Sequence, residues 1–376
     1  DALPPAHRLD ARRQRGEARG AGHGRVGQPA VRREGPGKGR VGRERHPWRQ
    51  GACAAGRLDA PEGLGRRRAR QAPLQPVRVL LAVGDVELYK ETYQPLLMDV
   101  ITVPSPDCYQ REPGQSCEEH STAMFTHMER ALAQYAQETC AVIVEPLVQC
   151  AGYMRMYHPV YLKKLREACD RHGVHLIVDE MAVGFGRTGT LFACEQAGIT
   201  PDFMGLSKGL TGGYLPMACI LTRDEIYQAF YDDYQNLTAF LHSHSYTGNP
   251  LACAAGLASM SIFENEPVLE NNQRKAQLMA DSVAELKDHP HVAEIRQTGM
   301  IVAIEMVKNK TTREPYDWRE RRGHQVYQYA LKNGALLRPL GDVIYFMPPY
   351  VINEEEIRLL GKVVIEGMSV ATGDES

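Results

Sequence analysis

From about residue 81 onwards, apolar positions follow two alternating periods, one typical of strands and one typical of helices. Short apolar runs at 141–144 and 174–178 predict buried strands, and each run leads into a carboxylate, Glu145 or Asp179. Between them, residues 159–172 repeat at helical spacing before a glycine, a natural helix end. Strands alternating with helices predict an α/β fold, with a mostly parallel sheet, helices on both faces and a site at the strands' carboxyl ends.

Beyond this core the same patterns continue, and their character changes near residue 265. The predicted elements are a strand at 217–221, a helix after Pro250, a helix at 268–288, strands at 293–298 and 301–307, a helix at 319–332, strands at 335–338 and 343–346, and a helix at 353–368. The change divides the folded part into a large domain at 81–264, which is incomplete, and a smaller C-terminal α+β domain at 265–376.

Residues 1–80 differ in kind from the rest of the chain. They carry 18 Arg and one Lys against seven acidic residues, a net charge of +12, and contain no Ile, Phe, Tyr, Met, Ser, Thr or Asn. With no apolar period, they offer no face to bury and are expected to be disordered. They are open to three interpretations: a basic arm for nucleic acid, filler, or GC-rich codons read out of frame. The joint loss of residues with A/T-rich codons favours the third.

Charge and cysteine content narrow the class of protein. The other 296 residues carry 25 basic and 39 acidic side chains, and no run reaches the roughly 18 apolar residues of a membrane span. The nine cysteines are odd in number and form no CxxC pair, so we expect reduced thiols and neither a disulfide framework nor a metal site. No charged-then-apolar signal sequence opens the chain. These features predict a cytoplasmic protein with no membrane or nucleic-acid partner.

Two residues suggest chemistry. Lys208 lies among small residues just after the apolar run 203–206, and Asp179 ends a predicted strand. Each has an ordinary alternative, since isolated loop lysines are mostly solvated and strand-end acids are common. Together they fit a pyridoxal phosphate site. A buried lysine can attack an aldehyde because desolvation frees its amine, and a carboxylate can keep a pyridine nitrogen protonated.

The motifs around these residues resemble the class III aminotransferases, which are fold-type I pyridoxal phosphate enzymes. The stretches that carry the resemblance are Asp179-Glu180, Gly184–Gly189, Leu191–Glu195, Pro201-Asp202 and Lys208–Gly213. The similarity covers about residues 81–370. It implies pyridoxal 5'-phosphate as cofactor, Lys208 as its covalent anchor and proton carrier, and Asp179 as the partner of its ring nitrogen.

Four further stretches resemble a biotin-pathway subgroup: Met154–Pro159, Ser245–Ala254, Leu337–Gly341 and Ile344–Tyr350. The subgroup transfers the amino group of S-adenosylmethionine to 8-amino-7-oxononanoate, giving 7,8-diaminononanoate. The resemblance implies that Arg338 binds a substrate carboxylate, that Tyr345 lines the substrate pocket, and that Ser245 reaches the cofactor phosphate of the other subunit in a homodimer. Turn, salt-bridge and core roles remain the alternatives for Ser245, Arg338 and Tyr345.

Departures from the family pattern leave other functions open. The Gly-Ser-x-Ala phosphate cradle and the Tyr-His-Gly of the family do not occur in residues 1–80, and Tyr153 stands where the family has glycine. We therefore expect weak cofactor retention and impaired turnover for this chain. The rival functions are a class III aminotransferase with another donor, such as an ω-amine or lysine, and a non-catalytic remnant with a basic nucleic-acid-binding arm.

Overall fold

The computed structural model describes residues 51–57, 97, 99–242 and 244–373, with the backbone alone for 51–57. The strands in this part of the chain are β1 (Gly51–Arg57), β2 (Val100–Pro104), β3 (Thr139–Val144), β4 (Val148–Gln149), β5 (Arg155–Met156), β6 (His175–Asp179), β7 (Phe203–Leu206), β8 (Cys219–Thr222), β9 (Val292–Thr298), β10 (Ile301–Met306), β11 (Arg338–Leu340) and β12 (Val343–Phe346). The α-helices are α1 (Cys117–Tyr135), α2 (Val160–His172), α3 (Asp224–Gln228), α4 (Pro250–Asn265), α5 (Val268–Ser282), α6 (Arg322–Lys332) and α7 (Glu354–Thr372). None of these helices combines the length and hydropathy that a membrane span needs.

A six-stranded sheet in the order β2-β1-β3-β6-β7-β8 forms the first half of the described fold. Its central strands β3, β6 and β7 are parallel, as the sequence predicts, whereas the strands flanking them pair antiparallel. The inward-facing residues of β3 and β6 pack with those of α2, and the fully buried members include Val142, Leu176, Leu162 and Leu165. The helix α2 ends where predicted, at Gly173, whose φ of 66° is left-handed.

A four-stranded antiparallel sheet in the order β11-β12-β10-β9 forms the second half. Every residue of β10 is buried, and α5, α6 and α7 pack with this sheet around a second apolar core. Several predicted boundaries are wrong here: the helix predicted over 319–332 begins at Arg322, and the helix predicted over 353–368 ends at Thr372. The helix predicted over 268–288 stops at Ser282, where α7 approaches so closely that a Cβ on Gly361 would lie 2.5 Å from the Ser282 carbonyl oxygen. The strand predicted over 335–338 lies further along the chain, at Arg338–Leu340 (β11), because pairing with β12 begins with Arg338 opposite Tyr345.

The strand β1 differs from the expectation for residues 1–80. Its backbone pairs antiparallel with both β2 and β3, with Ala54 opposite Thr102 and Ile143. Backbone hydrogen bonds to two neighbours need no apolar alternation, so a composition without a period did not reveal this strand. The rest of this segment lies outside the described residues. The interpretation of residues 1–80 and the domain limits at 81–264 and 265–376 stay predictions.

The expectation of reduced thiols is wrong for one pair. Cys108 and Cys117 form a disulfide that joins a short 3-10 turn, Cys108–Gln110, to the first residue of α1. The chain returns on itself between them, which brings their Cα atoms to 5.3 Å, and spacing alone does not reveal such a return. The other cysteines whose side chains the structure describes are free: Cys140, Cys150, Cys169, Cys194, Cys219 and Cys253.

Candidate active site

The structure places Asp179 and Lys208 at the same edge of the six-stranded sheet. Val144 of β3 pairs with Val178 of β6, and Asp179 pairs with Gly205 of β7, so the three strands end together. Asp179 is the last residue of β6, and Lys208 follows β7 after one intervening residue. The carboxyl edge of parallel strands is where ligands bind in open α/β sheets, so this edge is the candidate active site.

A tight turn presents Lys208 at this edge. The residue has a φ of 45° and begins the 3-10 turn Lys208–Thr211, which is held by a hydrogen bond from Ser259 Oγ to the carbonyl oxygen of Gly209 (3.0 Å). A Cβ on Gly209 would lie 2.9 Å from the ring of Phe185, so close packing requires a glycine there. The Lys208 side chain is exposed, and the sequence-based assumption that it is buried is wrong for this structure.

A third charged group at this edge, Glu145, was not predicted as a site residue. It directly follows β3, its Oε1 accepts the N–H of Cys150 (3.4 Å), and its carbonyl oxygen accepts the Tyr157 hydroxyl (2.6 Å). The pKa of Glu145 is raised to about 7, first by burial and second by the charge of Asp179, while the hydrogen bond from the Cys150 N–H and the charge of Lys208 oppose the rise. The sequence held a signal for Glu145, because it follows an apolar run just as Asp179 does.

The thiol of Cys150 lies close enough to the charged groups of the site to interact with them electrostatically. Burial raises the pKa of Cys150 to about 12, with Glu145 adding to the rise, while the positive charges of Lys208 and Arg187 oppose it. The group is therefore a neutral thiol near neutral pH, with little nucleophilic character. Nothing in the sequence pattern pointed to Cys150.

The two predicted substrate-binding residues face each other on adjacent strands of the four-stranded sheet. Arg338 of β11 pairs with Tyr345 of β12; the arginine side chain is exposed and the tyrosine is half-buried. Burial raises the pKa of Tyr345, with the charge of Arg338 opposing the rise and Cys150 adding to it. Tyr345 therefore lies within electrostatic range of both Arg338 and Cys150.

Arg187 connects the two sheets beside the site. Its guanidinium lies over the ring of Tyr350, 4.4 Å from the ring centre, and the Tyr350 hydroxyl donates to the carbonyl oxygen of Phe185 (2.6 Å). Burial lowers the pKa of Arg187. These contacts join the Gly184–Gly189 motif, which carries Phe185, to the Ile344–Tyr350 motif, which carries Tyr345.

Ser245 lies apart from this cluster. It is exposed in a turn just before α4, and in the described part of the chain no interaction links it to Lys208, Asp179 or Glu145. Within one chain, the described structure therefore does not bring Ser245 to the sheet edge that carries Asp179 and Lys208.

The backbone at Tyr153 explains why glycine is usual at this position. Tyr153 has a φ of 62° and Met154 a φ of 53°, both in the left-handed region that disfavours residues with a Cβ. The Tyr153 ring packs against Gly341, where an added Cβ would lie 3.1 Å away from it. The ring therefore occupies a position next to the loop that follows β11.

The comparisons with known proteins agree with this geometry. The family model for aminotransferase class III matches residues 77–366, and the chain belongs to this family. Class III aminotransferases are pyridoxal phosphate enzymes, and the family confirms the predicted α/β, fold-type I architecture.

Individual relatives give a narrower similarity. The chain is 45% identical, over 74% of its length, to adenosylmethionine-8-amino-7-oxononanoate aminotransferase of Nitratidesulfovibrio vulgaris, and 42% identical, over 78%, to that of Geobacter sulfurreducens. These matches span 52% and 65% of the two relatives, so the chain covers between half and two thirds of their length.

Solved structures show the same similarity. The crystal structure of the Methanocaldococcus jannaschii enzyme of that name is 36% identical, with a TM-score of 0.71 over 78% of this chain and 65% of that one. An omega transaminase of Pseudomonas jessenii in complex with PMP is 29% identical, with a TM-score of 0.72 over 79% of this chain and 66% of that one.

Proposed function

We propose that this chain carries the catalytic core of a pyridoxal phosphate-dependent aminotransferase of biotin synthesis. The proposed reaction moves the amino group of S-adenosylmethionine to 8-amino-7-oxononanoate and yields 7,8-diaminononanoate. The observation that carries the proposal is the position of Asp179 and Lys208 at the ends of the neighbouring strands β6 and β7. The names of the relatives at 42–45% identity support the choice of substrates.

The donor set at the sheet edge fits pyridoxal phosphate. Asp179 offers a carboxylate for a pyridinium nitrogen, and Lys208 offers an exposed primary amine for an aldehyde. When bound, the cofactor supplies an aldehyde that takes up amines and a protonated ring that withdraws electrons from the adjacent carbon. The Gly-Ser-x-Ala motif that holds the phosphate in the family is absent from residues 1–80.

The remaining roles follow from charge and geometry. Lys208 Nζ would hold the cofactor through its aldehyde group and would serve as the proton carrier during amino transfer. Arg338 presents a planar guanidinium at an exposed position, which suits a two-point contact with a substrate carboxylate. Tyr345, half-buried beside Arg338, forms the pocket wall.

A homodimer would account for Ser245 and its surroundings. The segment 214–262 exposes many large apolar side chains, including Tyr214, Leu221, Tyr231, Phe240, Tyr246 and Leu257. Monomeric proteins seldom expose so much apolar surface. A second copy covering this segment would bring its Ser245 towards the neighbouring site, as the family pattern implies. We propose a cytoplasmic location for the same biosynthetic role.

An amino-donor comparison tests the function. Purified chain with excess pyridoxal phosphate is mixed with S-adenosylmethionine, lysine or an ω-amine, and conversion of the cofactor to its amine form is followed by absorbance. We expect conversion with S-adenosylmethionine only, and its loss in Lys208→Ala but not in Lys308→Ala, a control at an exposed lysine paired with Glu314. Preference for an ω-amine would instead favour the activity named for the Pseudomonas jessenii structure.

A further inference from the structure

Glu145 and Asp179 form a side-by-side pair of carboxyl groups because of the register of their strands. The pairs Ile143–Ile177 and Val144–Val178 run in step along β3 and β6, so the next residues of both strands are also neighbours. Side chains of paired residues in a parallel sheet point to the same face. Glu145 and Asp179 therefore share one face of the sheet at the edge where Lys208 lies.

Local contacts hold Glu145 in this position. Its carboxyl group accepts the N–H of Cys150, and the Tyr157 hydroxyl fixes its carbonyl oxygen. The charged and titratable groups that act on it are Asp179 from β6, Lys208 from the turn after β7 and Cys150 from the segment after β4. The one positive charge in this set is too few to compensate two neighbouring carboxylates.

We propose that Glu145 is a positioning residue that enters the reaction as a neutral carboxylic acid, leaving Asp179 as the single negative charge of the pair. The inference rests on the proposed function for the identity of the ligand, but the protonation of Glu145 belongs to the chain itself. A neutral Glu145 removes the repulsion between two like charges at this edge. It can also donate a hydrogen bond, which a carboxylate cannot.

The proton matters because the expected cofactor is itself anionic. A second carboxylate beside Asp179 would repel a phosphate-bearing ligand, whereas a neutral acid would not. The pKa of Glu145 is raised to about 7, chiefly by burial and further by the charge of Asp179, so the neutral acid is accessible near neutral pH without any ligand. Cofactor binding and retention of the Glu145 proton should therefore support each other.

The pH dependence of unfolding tests the proposal without cofactor. A carboxyl group with a raised pKa in the folded state destabilises the fold as pH rises from its unfolded value, near 4.5, to its folded value, near 7. The unfolding equilibrium constant of the wild type, relative to Glu145→Gln, should rise roughly 40-fold between pH 5 and pH 7. Glu167→Gln, at an exposed position of α2, should show no such change relative to wild type.

Infrared spectroscopy of protein with 13C-labelled glutamate reads the proton directly. At pH 6 we expect a protonated-carboxyl band in the wild type that titrates near pH 7 and that Glu167→Gln retains. Among the described glutamates, Glu180 also has a pKa raised by burial, so Glu180→Gln assigns its contribution. The wild-type band keeps the proposal testable even where Glu145→Gln does not fold.

A ligand-binding measurement distinguishes failure of this inference from failure of the proposed function. With pyridoxal phosphate as probe, the ratio of wild-type to Glu145→Gln dissociation constants should rise several-fold from pH 6 to pH 8.5. No binding by either protein would count against the proposed function. A wild type without the band at pH 6, or with the same unfolding profile as Glu145→Gln, would overturn the role of Glu145.

Discussion

Apolar side chains are buried in the strand β10, whereas many of those in the segment 214–262 are exposed. In β10 all six residues are buried: Val302, Ile304 and Met306 pack in the second core, and Ile301 and Ala303 pack in the first. In 214–262, Leu257 of α4 is 69% exposed and Ile220 of β8 is 59% exposed. The strand β10 is thus covered on both faces, while the other segment, which carries Ser245, leaves its apolar surface uncovered among the described residues. We propose that a second copy of the chain covers it.

Two side-chain truncations, one in β10 and one in the segment 214–262, test this contrast most strongly. Ile304→Ala removes a fully buried side chain of β10 and should lower the free energy of unfolding by about 2–5 kcal/mol. Leu257→Ala removes an exposed side chain and should change the stability of the isolated chain by less than about 0.5 kcal/mol. Urea unfolding at several protein concentrations measures both. Equal losses in dilute, monomeric protein would refute the contrast.

The disulfide offers a probe confined to the six-stranded half. Cys108 and Cys117 are nine residues apart, and opening a loop of this length should lower the free energy of unfolding by about 2–3 kcal/mol. The measurement compares urea unfolding with and without dithiothreitol. Cys117→Ser should abolish the difference, whereas Cys140→Ser, at an exposed free thiol, should leave it intact. An unchanged midpoint on reduction of the wild type would contradict this account of the loop.

A third prediction concerns Arg338, which lies on the four-stranded sheet and is proposed to bind a substrate carboxylate. Arg338→Lys keeps the positive charge but loses the two-point geometry of the guanidinium, so kcat/KM for carboxylate-bearing substrates should fall about tenfold, or about 1.4 kcal/mol. Arg358→Lys, at an exposed position of α7, is the matched control. Steady-state kinetics with saturating pyridoxal phosphate would detect the loss. Equal kinetics for both variants would assign Arg338 to a structural role.

The smallest predicted effect concerns the backbone at Tyr153. Both Tyr153→Gly and Tyr153→Ala lose the ring that packs on Gly341, but only alanine retains the Cβ that the left-handed φ disfavours. The glycine variant should therefore be the more stable of the two by about 1 kcal/mol, the reverse of the usual order. Thermal unfolding of the two variants side by side gives the answer, and a more stable alanine variant would argue against this conformation.

The parts of the fold with a clear period were predictable from the sequence. The helix α2 with its terminal Gly173 and the strand β6 ending at Asp179 follow directly from apolar spacing and a helix-stop glycine. The end of α5 was not predictable, because it depends on the approach of Gly361 from a helix far along the chain. The start of β11 likewise depends on pairing with β12, which shifts the strand relative to its apolar residues.

The site was partly predictable for a similar reason. Lys208 and Asp179 lie in local motifs, so their positions at strand ends could be read from neighbouring residues. The involvement of Cys150 depends on a loop that folds back towards the strand ends, and the Cys108–Cys117 bond on a chain reversal. Neither the folded-back loop nor the chain reversal can be predicted from local sequence patterns. The exposure of Lys208 was also missed, because apolar neighbours in sequence need not cover a side chain in space.

The most direct test of the account is to locate the covalent anchor of the cofactor. The full chain is incubated with excess pyridoxal phosphate, reduced with borohydride, digested and analysed by mass spectrometry. We expect one dominant pyridoxyl-modified peptide carrying Lys208, with labelling lost in Lys208→Ala and retained in Lys308→Ala. Dominant modification of any other lysine, or equal labelling of Lys208→Ala and wild type, would contradict the assignment of this sheet edge as the active site.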